Sequence, residues 1–166
     1  MIKSTVFGVI KLFLPLFALA IIAACSEIPS TADPIIMGEG WHNLERAGNG
    51  DSWWVWTKKQ GEIIINSKKD VTLTLRGGVG SIKRPNKVEV SVNGKTVAQW
   101  EITGDKYAQK PFQPLPVALV NGRNIIKFTS QNDAIKIPTD SRELAIAVDN
   151  LTLTDPKGRV EYSIQK

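Results

Sequence analysis

Short stretches of alternating apolar and polar residues, separated by turn-forming residues roughly every ten positions, limit most strongly how this 166-residue chain folds. Residues 88–92 alternate in this way and end at Asn93-Gly94, a dipeptide that favours a type I′ hairpin turn. A return strand follows over residues 95–102, and its change of parity near Val97 predicts a β-bulge. No segment has the apolar period of an amphipathic helix. The pattern therefore predicts an all-β, antiparallel β-sandwich of about nine strands.

Other parts of the chain have the same character. Segments 62–66, 71–75 and 143–148 are predicted strands, and the parity shift after Asp149-Asn150 predicts a bulge or break. A second turn dipeptide, Asn121-Gly122, predicts either a hairpin or a crossing between two sheets. The glycine-rich stretch 76–80 lacks the lysine and the following helix of a phosphate loop, so we interpret it as a flexible connection between strands.

Four of the five tryptophans lie within residues 41–56. Trp54 and Trp56 share one face of a predicted strand, and Trp53 points to the other face. One interpretation is that Trp54 and Trp56 fill the core, because large aromatic side chains dominate core energetics. The other is that Trp41 or Trp53 is exposed as a platform on which a sugar ring stacks. In that case the nearby polar residues that would bind sugar hydroxyls are Asn43, Glu45, Asn49 and Asp51.

The first 24 residues predict a bacterial lipoprotein signal peptide, because Lys3 and Lys11 accompany an apolar run that ends in small residues before Cys25. That run is too short, and too soon followed by polar sequence, to form a stable transmembrane helix. Residues 22–25 resemble the lipobox, which implies cleavage before Cys25 and its modification by a diacylglycerol and an N-acyl chain such as palmitate. The alternative is an ordinary signal peptide with a chance cysteine at its end.

Cys25 is the only cysteine, so its lipidation leaves no thiol for a disulfide, a metal site or a nucleophile. Ser26 favours passage to the outer membrane over retention at the inner one. Residues 25–38 are predicted to form a flexible tether, and residues 39–166 one β-sandwich domain. Without Lys3 and Lys11 the charge falls from +5 to about +3, with no dense basic run of the kind that binds nucleic acid.

The sequence offers no positive sign of catalysis. His42 is the only histidine, and beside Trp41 we interpret it as a structural residue. Neither a zinc-protease motif nor a nucleophile-elbow motif occurs. Glu45 and Asp51 are the one candidate carboxylate pair for a glycosidase, but nothing in their spacing indicates that they meet. Segment 140–143 predicts either a local ion pair or an Arg142 that faces a ligand.

The order of these motifs resembles the galactose-binding-like jelly-roll modules, and among them uncharacterised versions that accompany bacterial surface-polysaccharide and glycosyltransferase proteins. The motifs are the Gly40-Trp41-His42 stretch with Glu45, the aromatic strand 53–56, the two Asn-Gly turns, and segment 140–144 with its apolar strand. The resemblance covers residues 38–156. It implies a two-sheet sandwich that often serves as a non-catalytic carbohydrate-binding module, sometimes with a structural calcium. No acidic cluster matches a calcium loop, and no cofactor is predicted.

Two hypotheses for the function follow. The first is a non-enzymatic, lipid-anchored module of the cell envelope that binds polysaccharide, with Trp41, Asn43, Glu45, Asp51, Trp53 and Arg142 as candidate ligand-binding residues and Cys25 as the link to the membrane. The second is a structural or assembly lipoprotein whose sandwich docks onto another envelope protein. A glycoside-active enzyme is a distant third. The first predicts an exposed aromatic platform, and the second predicts a continuous exposed apolar patch.

Overall fold

Two β-sheets packed face to face form the domain. The structure, a computed structural model, describes residues 32–164 except residues 49, 51 and 105–109. Within this part the strands are β1 (Asp33–Pro34), β2 (Ile36–Met37), β3 (Glu45–Arg46), β4 (Trp53–Trp56), β5 (Gln60–Ser67), β6 (Val71–Ser81), β7 (Asn86–Val92), β8 (Lys95–Ile102), β9 (Lys110–Pro111), β10 (Leu115–Leu119), β11 (Gly122–Ser130), β12 (Ile135–Ile137), β13 (Asp140–Leu144), β14 (Ile146–Thr154) and β15 (Val160–Ser163). The described residues include no helix long and apolar enough to pass through a bilayer.

The larger sheet has the order β1-β15-β14-β4-β3, and it extends on the other side of β14 through β6, which also pairs with β9 and β10. The smaller sheet has the order β2-β5-β11-β7-β8. Strands β12 and β13 form a separate two-stranded ribbon. Apart from the short parallel pair β1–β15, the described strands pair in an antiparallel sense. The predicted antiparallel β-sandwich is confirmed.

The hydrophobic core lies between the inner faces of the two sheets. The larger sheet contributes residues such as Val55, Leu75 and Val148, and the smaller sheet contributes Ile63 and Phe128, all at most 1% exposed. Each buried aliphatic or aromatic side chain of this size stabilises the fold by about 1.5–3 kcal/mol relative to an exposed one. The alternation seen in the sequence is thus the inward and outward alternation of a sandwich.

The hairpin at Asn93-Gly94 forms as predicted. Both residues have positive φ, 50° and 81°, as a type I′ turn requires. The predicted bulge is also present, because the register shifts between the pairs of Val90 with Ala98 and of Ser91 with Thr96, which leaves Val97 as the extra residue. Val97 is 38% exposed, so the bulge moves an apolar residue out of the core and restores parity for the rest of β8.

The second Asn-Gly pair is a crossing between the sheets, which was one of its two predicted forms. β10 pairs with β6 in the larger sheet, whereas β11 pairs with β5 and β7 in the smaller one. The fully buried side chain of Asn124 stabilises the crossing: its amide donates to the carbonyls of Val120 at 2.8 Å and Gly122 at 3.0 Å, and its oxygen accepts from the Val120 N–H at 2.9 Å. An amide suits this position because it can both donate and accept, and so satisfies backbone groups at the point where the chain passes from one sheet to the other.

Two predictions about connecting segments are wrong. Residues 76–80 belong to β6, and glycine is required there because a Cβ on Gly77 would lie 2.7 Å from the Asp149 carbonyl oxygen and from Leu151 Cδ2. The described part of the predicted tether 25–38 is also not a tether. Residues 33–34 pair with β15 and residues 36–37 pair with β5, so the sandwich begins near residue 32 and not at residue 39.

The break after Asp149 is present within β14. The register with β6 shifts between Asp149 and Thr152, and Asn150 adopts a positive φ of 46°. The Asn150 side-chain oxygen accepts a hydrogen bond from the backbone N–H of Trp53 at 3.2 Å. This hydrogen bond links the irregular part of β14 to β4, the strand that carries the tryptophans of the candidate site.

Candidate functional site

Strand β4 turns Trp53 and Val55 towards the core and Trp54 and Trp56 away from it. Trp53 is 9% exposed and Val55 is 1% exposed, whereas Trp54 and Trp56 are both partly exposed. The prediction that Trp54 and Trp56 fill the core while Trp53 faces outward is therefore wrong. The pairing with β14 decides the matter, because it aligns Val55 with Val148, which belongs to the core cluster, and Trp56 with Ala147, which does not. Alternation shows which residues share a face, but it does not show which face is covered.

The side of the larger sheet that is turned away from the core is called the outer face here. Opposite residues of antiparallel strands share a face, with Cβ atoms about 4.5–5.5 Å apart. The strand registers therefore place two rows of side chains on this face: Glu45, Trp54, Asp149 and Gly78 in one, and Trp56, Ala147 and Gly80 in the next. Trp54 consequently has a carboxylate on either side, and Trp56 lies beside residues with little or no side chain.

The carboxylate of Asp149 lies directly against Gly78. A Cβ on Gly78 would collide with it, the carboxyl carbon being only 2.8 Å away. Burial raises the pKa of Asp149, and the hydrogen bond from the Gly78 N–H partly opposes that shift. Glycine at position 78 thus allows a partly desolvated hydrogen-bond acceptor to lie beside the Trp54 ring.

Arg142 joins two carboxylates at the edge of the outer face. Its Nε and Nη2 donate to Asp140 at 3.0 and 2.6 Å, and its Nη2 also lies 2.9 Å from Glu45 Oε1. The hydrogen bonds from Arg142 lower the pKa of Asp140 to about 2, and the two carboxylates raise the pKa of Arg142. The ion pair predicted for segment 140–143 is therefore present.

Glu45 is placed by β3, which aligns it with Trp54. Its Oε1 is buried and is close enough to Arg142 for an ion pair, but it has no partner with hydrogen-bond geometry. Since Oε1 is closed to solvent, only the remainder of the Glu45 side chain, which is 33% exposed as a whole, can meet a ligand. Glu45 and Arg142, two of the residues predicted for the site, are thus brought together next to an outward-facing tryptophan.

Trp41 does not form a platform with Trp53. Its Nε1–H donates to the Glu62 carbonyl at 2.6 Å, and its ring meets Phe128 edge to face, with centroids 6.1 Å apart and planes at 61°. Gly61 lies against the Trp41 ring. Trp41 is therefore packed at the rim of the core. The predicted two-ring surface is wrong, because Trp53 is buried and Trp41 packs against Phe128 instead of beside Trp53.

His42 and Asn43 lie in the segment that leads to β3. His42 Nε2 is 2.8 Å from the Glu143 carbonyl oxygen, which only accepts, so Nε2 carries the proton and donates. This contact ties the segment to β13, as expected for a structural histidine. Asn43 is exposed. Cys25, Asn49 and Asp51 lie outside the described residues, so the predictions made for them stay predictions.

A second aromatic pair, which the sequence did not single out, lies at the open edge of the sandwich. Trp100 stacks on Phe112 with centroids 4.2 Å apart and planes at 15°. The pair lines a cleft of about 330 Å³ together with Val79, Ile102 and Pro111. The ring centroids of Trp100 and Phe128 are 6.2 Å apart, so this partly exposed pair is packed against the core.

Among residues 32–164, apart from the gaps given above, no group of three or more His, Cys, Asp or Glu side chains is arranged to hold a metal ion. The acidic side chains of the outer face are instead paired with Arg142 or held against Gly78.

Comparison with solved structures finds similar folds among family 35 carbohydrate-binding modules. One from an environmental isolate has a TM-score of 0.47 and 13% identity over 80% of this chain and 98% of that one. One from Clostridium thermocellum has a TM-score of 0.43 and 18% identity over 69% and 94% of the two chains. The module from Paenibacillus barcinonensis has a TM-score of 0.44 and 17% identity over 75% and 95%.

No protein-family model matches the chain, and no curated protein sequence matches it. Some of the similar solved structures are larger enzymes, such as a glucanotransferase from a Paenibacillus species, of which the chain covers 18%. The β-sandwich itself is established by the strand pairing described above.

Proposed function

We propose that this protein is a non-catalytic glycan-binding domain that is held at the cell envelope by lipid on Cys25. The observation that carries the binding proposal is the outward position of Trp54 and Trp56, two partly exposed rings on one strand and one face. Residues two apart on a strand are separated by roughly 6.8 Å. The two rings are thus spaced to contact successive sugar units of one chain.

The groups around Trp54 suit the polar side of a sugar. Asp149 and Glu45 offer carboxylate oxygens to hydroxyl groups, and Arg142 offers guanidinium N–H groups. Each is already positioned by the protein, Asp149 by Gly78 and Glu45 by its ion pair, so little side-chain entropy is lost on binding.

The expected affinity is modest. A sugar face that covers about 50 Å² of each ring contributes roughly 1.2 kcal/mol per ring, at about 25 cal/mol per Å² of apolar area. Two rings and a few hydrogen bonds on an exposed face therefore lead to a dissociation constant nearer to millimolar than to nanomolar. Many copies anchored on one membrane would raise the avidity for a polymer well above that of a single domain.

The experiment is a titration of the detergent-solubilised full chain with a broad panel of envelope and extracellular polysaccharides, followed by tryptophan emission and by calorimetry. Trp54→Ala and Trp56→Ala should each weaken binding about five- to tenfold, the loss of one ring contact. Trp100→Phe is the matched control, because it also removes one tryptophan but preserves the stack on Phe112. Absence of binding across the panel, or binding that survives both alanine variants, refutes the proposal. Recovery of one stoichiometric envelope protein would then favour the docking hypothesis.

Lipid anchoring needs a separate test. Cys25→Ser should abolish incorporation of labelled fatty acid, because the thiol that carries the lipid is removed, and any chain that has lost its signal peptide should leave the membrane. The domain should stay folded, because Cys25 precedes the first described strand of the sandwich. Persistence of membrane attachment in a variant whose signal peptide has been cleaved would contradict the anchoring. A cleaved and lipidated chain can then be assigned to the inner or outer membrane by density fractionation, where Ser26 favours the outer membrane.

A further inference from the structure

One end of the sandwich, called the base here, is where the chain enters the fold. β1 starts at Asp33, and Asp33 forms an ion pair of 3.1 Å with Lys68, in the turn between β5 and β6. The same end holds the turn 155–159 between β14 and β15 and the crossing 120–122, because Val71 pairs with Leu119 and Gly122 pairs with Ser67. Ser81, Ile146 and Gln60 lie at the opposite end.

The turns of the base carry more positive than negative charge. Among the described residues six basic ones lie there, Lys68, Lys69, Lys95, Arg123, Lys157 and Arg159, against four acidic ones, Asp33, Asp70, Asp155 and Glu161. Lys68 is paired with Asp33, and Arg159 is paired with Asp155 and Glu161. Within the described part of the chain, the other four cations have no carboxylate partner, and all four are exposed.

The base must stay near the lipid if Cys25 is the anchor. Asp33 follows Cys25 by eight positions, so the connecting chain reaches at most about 28 Å, at 3.3–3.6 Å per residue. A charge is attracted to an anionic surface once it comes within a Debye length, about 8 Å at physiological salt. A connection of this length confines the base to the neighbourhood of the anchored residue and allows it to come within a Debye length of the headgroups.

We propose that the base is a membrane-facing surface that docks on anionic phospholipid headgroups through Lys69, Lys157 and Arg123; the proposal rests on the lipid anchoring of Cys25. Each basic side chain near an anionic leaflet favours the docked state about fivefold. Docking directs the opposite end of the sandwich away from the bilayer. Trp56 lies towards that opposite end, because it aligns with Ala147 near the start of β14. Docking of the base therefore leaves the proposed glycan site facing the solvent.

The test uses the lipidated full chain, reconstituted in vesicles of phosphatidylcholine alone or with about one third phosphatidylglycerol. Brief amine acetylation and mass spectrometry then report the accessibility of each lysine. Lys69 and Lys157 should react several-fold more slowly on the anionic vesicles, whereas Lys58 and Lys83, which are exposed at the opposite end, should react equally on both. The protection should disappear in about 1 M salt, where the Debye length is about 3 Å.

Paired variants complete the test. Lys69→Gln with Lys157→Gln should restore the reactivity of Lys68 on anionic vesicles to its value on neutral ones, and Lys58→Gln with Lys83→Gln should not. Equal labelling of Lys69 and Lys157 on both kinds of vesicle, in a chain whose Cys25 is shown to carry lipid, overturns the docking alone and leaves glycan binding untouched. A processed chain without lipid on Cys25 overturns the anchoring and the docking together.

Discussion

Replacing each of two adjacent tryptophans, Trp53 and Trp54, by alanine separates the core face of β4 from its outer face. Trp53 is 91% buried within the core cluster, so Trp53→Ala removes a large aromatic group and leaves a cavity that costs about 3–5 kcal/mol. Trp54 is partly exposed and belongs to no core cluster, so Trp54→Ala should cost only about 1–2 kcal/mol.

For a domain of this size, 1 kcal/mol corresponds to about 3–5 °C in Tm, so Trp53→Ala should lower the Tm by roughly 10–20 °C. A loss of this size is a large share of the 5–15 kcal/mol that stabilises a typical domain. The measurement is urea unfolding followed by circular dichroism, since tryptophan emission is altered by both substitutions. Equal losses for the two variants, or a larger loss for Trp54→Ala, would refute the assignment of the buried face.

Three further outcomes are expected. Gly61→Ala should cost about 1–3 kcal/mol and shift the emission of Trp41, because the new Cβ would lie 2.5–2.7 Å from three ring carbons; an unchanged urea midpoint would contradict that packing. Burial raises the pKa of Asp149 in the folded protein above its value of about 3.9 in the unfolded chain, so the protonated form of Asp149 favours folding. This contribution to the free energy of unfolding is complete below about pH 3.9 and is lost as the pH rises through the pKa of the folded state. Asp149→Asn should therefore flatten the pH dependence of the urea midpoint above about pH 3.9, and an unaltered dependence would argue against the burial. Arg142→Gln should raise the pKa of Asp140 from about 2 towards 3.8, as carboxyl NMR titration can show; a pKa that stays near 2 would mean that Arg142 is not its cause.

Much of the fold could be predicted because it depends on neighbouring residues. Asn93-Gly94 specifies its turn through the positive φ of both residues, and the bulge at Val97 was visible as a conflict of parity along β8. The break after Asp149 was visible in the same way. The sequence around Asn121-Gly122 predicts a hairpin and a crossing equally well, because the two share the same local turn and differ only in the distant strands that they pair with.

The site was predicted in part. Glu45 and Arg142 were named individually, but they are 97 positions apart and meet only because β3 and β13 lie at the same edge of the fold. Asp149 was missed, although a charged residue beside Val148 in an otherwise apolar strand was a usable signal. The prediction that Trp54 faces the core is wrong, since alternation shows which residues share a face of a strand but not which face packs against the opposing sheet.

Strand periods, turns, bulges and the side chains that share a face can all be predicted from neighbouring residues, because backbone sterics and the two-residue repeat of a strand are local properties. Which face is buried depends on how distant strands pair. The pairing of Val55 with Val148 turns Trp53 into the core and leaves Trp54 and Trp56 on the outer face beside Asp149. Burial depends on the partner strand and on the opposing sheet, and both are brought to β4 from distant parts of the chain.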